Sequence, residues 1–212
     1  MPLIRHTPPA AAQAAFASTL PSFLAGPAGL GTSTSVGVHA PPIPTAAEIG
    51  TGFADALQAF TLRLGDAAHF TGAISPASSG WQFYAGDSNT SSGQVILGGV
   101  SPRPPNAWKM TNMYYGPSVK AELLALKKLS TVTQFESASY EARLLIIPGV
   151  NVRAFWIAAQ QARGVDYVVP LPEEEPLIPG LSGLSPYDLS TFMAAVAPIA
   201  AANLTAAAYT GG

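Results

Sequence analysis

Past Thr45 the apolar positions follow readable periods. Ile49, Phe53, Ala56, Leu57, Phe60 and Leu64 recur at helical spacing behind Thr45-Ala46-Ala47-Glu48, a capping box, so a helix is predicted from Thr45 to near Gly65. Trp81–Ala85 and Gln94–Leu97 read as strands joined by the polar turn Gly86–Gly93. A second helix is predicted to open at Gly116-Pro117-Ser118. Its Leu123, Leu124, Leu126 and Leu129 should face inward, and Lys120, Glu122, Lys127 and Lys128 outward.

The strongest β pattern follows. Tyr140–Ile147 and Val150–Ala159 are rich in branched and aromatic residues and flank the turn pair Pro148-Gly149, with a third run at Val165–Val169. These runs predict an antiparallel meander, apolar on both faces and therefore central. A last helix is predicted behind Ser185 as cap, with Leu189, Phe192, Met193, Val196, Ile199, Ala200 and Leu204 inside and Pro198 kinking or splitting it. Ahead of Thr45, prolines at 8, 9, 21, 27, 41, 42 and 44 argue against a long helix, and residues 1–44 are expected to form an extended arm rich in Pro, Ala and Gly. The expected architecture is one α+β domain over residues 45–210. It has about five strands in antiparallel hairpins and a meander, three or so covering helices, and the arm.

Composition narrows the chemistry. Charged residues make up 10% of the 212, against roughly 25% in an average soluble domain. Cys is absent, which removes disulfides and cysteine metal clusters, and a net charge of −2 argues against nucleic acid as partner. No glycine-rich nucleotide fingerprint or phosphate loop is present, so no cofactor is expected. Pro8, Pro9, Gln13 and Pro21 interrupt any secretory leader. Leu189–Gly212 is uncharged but Ala-rich, and Ser190, Thr191, Asn203 and Thr205 favour a packed helix over a membrane span. The default compartment is the cytoplasm.

Several groups invite a chemical reading. Gly86-Asp87-Ser88 after a strand is where esterases of the GDS(L) type carry a nucleophilic serine, but that chemistry needs a histidine beyond the serine, and the histidines here stand at 6, 39 and 69. Asp87, Asn89 and Ser91 alternate as calcium ligands do, yet Ser92 and Gly98 occupy the positions that need Gly and Glu. Asp66 and His69 lie three apart at a predicted helix end, two ligands short of a metal site. Glu173-Glu174-Glu175 reads as a solvated loop. Glu141 and Arg143, two apart on one strand face, predict a buried or half-buried ion pair.

The segment chosen for binding is the expected loop 101–117. There Trp108, Met110, Met113, Tyr114 and Tyr115 concentrate the residue types enriched at interfaces. The function expected is a non-catalytic protein-binding or assembly role, with the arm and this loop contacting a protein partner or a second copy. The alternatives are a small-molecule carrier walled by Trp81, Trp108 and Trp156, or a small hydrolase or lyase using Asp66, His69, Asp87 or Glu141 in a pocket between the meander and the helices.

Overall fold

The computed structural model describes residues 3–25, 49, 53–86, 95–104, 107–135, 139–161, 164–171 and 178–210. In chain order the elements are α1 (Ala10–Leu24), β1 (Phe53–Thr61), α2 (Leu64–Ala68), β2 (Ala77–Gly86), β3 (Val95–Arg103), β4 (Ala107–Tyr115), α3 (Pro117–Leu129), β5 (Tyr140–Ile147), β6 (Val152–Ala159), β7 (Tyr167–Pro170), β8 (Tyr187–Asp188) and α4 (Leu189–Thr210). The eight strands form one sheet in the order β4-β3-β2-β1-β5-β6-β7-β8. β1 runs parallel to β5, with Ala59 beside Leu144, while the β2–β3, β3–β4, β5–β6, β6–β7 and β7–β8 pairs are antiparallel. The fold is α+β, as expected. Among the described residues its sheet is mixed and has eight strands rather than five.

Several local expectations are corrected. The helix predicted through Phe53 and Leu64 is replaced over Phe53–Thr61 by a strand. Apolar residues on both faces of a buried strand reproduce the i, i+3, i+4 spacing of a helix, and β1 buries Ala56 and Leu57, which point to opposite faces. Its parallel partner lies more than eighty residues away, so nothing local announces the pairing. The capping box at Thr45–Glu48 lies outside the described residues.

The loop expected at 101–117 is instead the end of β3, all of β4 and the start of α3. The extended arm is, over Ala10–Leu24, a helix that follows Pro9 and carries Pro21 in its last turn. Proline is harmless before a helix, and α1 recovers the cost of Pro21 by burying Ala12, Phe16, Leu20 and Phe23 along one stripe. Residues 26–44 of the arm, the Gly-Asp-Ser turn beyond Gly86 and the run Glu173–Glu175 are outside the described residues.

The chain gathers into two compact units. The first comprises Met1–His6, Leu57–Ser79 and Ala125–Gly212. Its core sets Leu145, Ile147, Ala154 and Trp156 of β5 and β6 against Phe192, Met193, Val196 and Ala200 of α4. Alternate residues supply a second face, where Phe135, Tyr140 and Tyr167 meet edge to face at 5.4–6.0 Å. The β5–β6 turn at Pro148–Val150 is as expected. A side chain on Gly149 would stand 2.7 Å from Leu64, which explains the glycine.

The cap of α4 is Asp188, not Ser185. Its carboxylate accepts from the Thr191 amide at 2.8 Å and the Thr191 hydroxyl at 2.7 Å, and the helix continues through Pro198. Leu189–Ala207 is also long and apolar enough to cross a membrane by length and composition. In this fold its first half carries the core stripe, while Ala201–Ala207 are exposed.

The second unit comprises Thr7–Ala56 and Gly80–Leu124. Here α1 lies on Trp81, Phe83, Ala85, Ile96 and Val100. Phe16 stacks on Phe83 (centroids 4.9 Å, planes 18° apart) and sits where a side chain on Gly98 would come within 2.5 Å of its ring. Phe53 meets Phe83 edge to face at 5.3 Å. On the other side of β2, the Tyr84 hydroxyl donates to Glu122 of α3 at 3.2 Å. That bond turns Glu122 inward and leaves Leu124 exposed, the reverse of the expected arrangement for these two residues.

Candidate functional site

The segment chosen for binding is β4, the last strand of the sheet order among the described residues. Its Trp108, Met110, Met113 and Tyr115 do not follow a strict two-residue period. A bulge resolves this. Between Gly99 and Val100 the register slips, so that Thr111 is the extra residue on β4 and its hydroxyl donates to the Gly99 carbonyl at 3.1 Å. The slip puts Trp108 beside Pro102, Met110 beside Val100, Met113 beside Gly98 and Tyr115 beside Ile96, all even positions of β3. The four side chains therefore share one face, half-buried against the cluster built on α1. Tyr115 meets Phe23 of α1 edge to face at 6.0 Å. Tyr114 pairs with Leu97 on the opposite face and is 48% exposed.

Four of the five chosen residues are thus brought together, and the group that meets them is the chain's own arm. Sequence reasoning singled out the arm and this segment separately but missed that they pack on each other. The only available signal was the matched run of Ala12, Phe16, Leu20 and Phe23, hidden by the prolines around it.

A second polar assembly belongs to the first unit. The ion pair expected between Glu141 and Arg143 forms: Nε and Nη2 of Arg143 each donate to one carboxylate oxygen of Glu141 at 2.6 Å. Glu141 Oε2 also accepts from Gln160 Nε2 at 3.0 Å and faces His6 Nε2 at 3.2 Å. The Glu141 side chain is 2% exposed, Arg143 22% and His6 54%. The Arg143 guanidinium lies 4.7 Å from the Trp156 ring centre and 5.0 Å from that of Phe60. Trp156 in turn donates through Nε1 to Asp166 at 2.8 Å, whose other oxygen accepts from the Ala159 amide.

Burial alone would raise the Glu141 carboxyl. The hydrogen bonds and charge of Arg143, joined by those of His6, outweigh it and hold the group below its ordinary range. A carboxylate held this way is a poor proton acceptor and a good anchor. His6 and Gln160 were not legible as its partners, because each reaches Glu141 only through the fold.

The remaining candidates do not converge. His69 Nδ1 lies 2.8 Å from the Gly65 carbonyl of its own helix, and Asp66 stands in the first turn of α2. Among the described residues no group of three potential metal ligands comes together. Trp81 and Trp108 belong to the α1 cluster and Trp156 to the α4 cluster. Asp87 is outside the described residues. No protein-family model matches the chain, and no curated protein or solved structure matches it significantly.

Proposed function

We propose that the protein is an assembly element that binds further copies of itself through β4. The observation that carries this reading is the placement of β4: a nine-residue strand at the end of the sheet order, with a half-exposed Tyr114 and one charged side chain, Lys109. A strand at a sheet edge offers backbone donors and acceptors to another strand, and low charge removes the usual device against such pairing. The bulge at Thr111 divides the strand, so pairing is confined to short segments on either side of it.

Light-scattering mass of the full chain across a concentration series tests the reading. The expected result is a mass above the 21.8 kDa of one chain, reduced toward it in Tyr114→Lys, which adds a second positive charge to the strand. A single-chain mass at every concentration overturns it.

A further inference from the structure

We infer that the arm, residues 3–24, is an exchangeable element that one copy lays on the body of another. The inference rests on the proposed self-assembly and says which part of the chain is shared.

The arm is a strap followed by a helix, and both attach through discrete contacts to positions far along the chain. Ile4 forms a parallel bridge with β5: its amide donates to the Tyr140 carbonyl at 2.7 Å, and its carbonyl accepts from Ala142 at 3.0 Å. β6 already pairs with the other edge of β5, so the strap lies on the edge that β1 also uses. Arg5 reaches the Leu126 carbonyl at 3.4 Å and Ser130 Oγ at 3.3 Å, and His6 faces the buried Glu141. Phe16 fills the glycine-floored socket at Gly98, and Phe23 meets Tyr115. A second copy offers the same sites to the same groups, so an exchanged arm loses none of these contacts.

Two features favour exchange. First, α1 makes no side-chain cap at its start and carries Pro21, so its stability comes from the socket more than from its own sequence; it folds wherever a socket is supplied. Second, residues 26–48 separate the arm from Ile49, a stretch of 48 − 26 + 1 = 23 residues with four prolines and four glycines. Fully extended, that connection spans about 80 Å at roughly 3.5 Å per residue, ample to reach a neighbouring copy.

The chain has no cysteine, which makes the test direct. Full-length Phe23→Cys and Tyr115→Cys are mixed in equal amounts, unfolded and refolded together, and treated with a short bismaleimide. Light-scattering mass is read before crosslinking and gel mobility after it. Exchange predicts a dimeric mass and about half of the chains crosslinked as covalent dimer, since random pairing places the two cysteines together in half of the dimers. The chain carrying both cysteines should likewise give a covalent dimer. A dimeric mass with the doubly substituted chain crosslinked only within itself overturns exchange and leaves self-assembly standing. A single-chain mass overturns both. Leu24→Cys with Met113→Cys, on the same cluster, is the second pair if the first disturbs folding.

Discussion

Glu141 shows how one residue can tie together distant parts of a chain. Its carboxylate collects Arg143 from its own strand, Gln160 from the end of β6 and His6 from the strap. Arg143→Met removes the guanidinium and leaves a buried carboxylate short of its main partner, an error that costs roughly 3 kcal/mol; urea denaturation should show that loss at pH 7. Because the folded carboxyl titrates below its ordinary 4.5, its contribution is complete above that value and fades as pH falls through the lower folded value. In Arg143→Met the carboxyl should rise, so that the variant is weakest relative to the parent near neutral pH and the gap between the two narrows as acid protonates the unpaired carboxylate. Equal acid limbs for the two proteins would count against this account of the cluster.

Asp188 offers a smaller case at the surface. Hydrogen bonds from Ser190 and Thr191 bring it from 3.8 to about 2. As a helix cap it should contribute about 1 kcal/mol, lost in Asp188→Ala and, in the parent, as pH drops from 3.8 toward 2. Both carboxylates sit near residues legible in the sequence. Glu141 beside Arg143 could be read from two-residue spacing. The Asp188 cap could not be separated from Ser185, because Ser185, Pro186 and Asp188 all suit a helix start and only the strand β8 decides where the helix begins.

At the scale of elements, the α1 socket is the most exacting contact. Phe16 is 2% exposed and rests on the bare backbone of Gly98 and on the Phe83 ring. Phe16→Ala should cost about 3–5 kcal/mol by loss of burial and the cavity left behind. Gly98→Val inserts a side chain at a point 2.5 Å from the Phe16 ring and should displace the helix. Limited proteolysis tests both: cleavage within residues 10–24 should accelerate in either variant while the Leu145–Phe192 core of the first unit stays protected. Slow cleavage of the Gly98→Val arm would show that the socket does not hold it.

The same scale explains where pattern reading failed. β1 carries an apolar spacing that a helix and a twice-buried strand share, and the choice belongs to β5, which supplies the backbone partners. In β4 the period is broken at Thr111, so an alternating strand looked like a loop until the bulge restored its faces.

For the molecule as a whole, assembly and arm exchange are questions of mass and of which chain supplies the arm, and the light-scattering and crosslinking measurements address them in that order. Several elements were legible from sequence alone because their signals are local: the β5–β6 hairpin around Pro148-Gly149, the helix opening at Pro117, the inner stripe of the last helix as far as Ala200 (Leu204, expected inside, is exposed), and the Glu141–Arg143 pair. Each depends on residues within a few positions of one another, where hydrophobic period and turn chemistry act directly. The mixed eight-stranded sheet, the turning inward of Glu122, the His6 contact and the docking of α1 were decided only by the tertiary structure. In each case the deciding group, whether the backbone of β5, the Tyr84 hydroxyl, the Glu141 carboxylate or the open face of Gly98, stands dozens of residues away and acts only once the chain has closed around it.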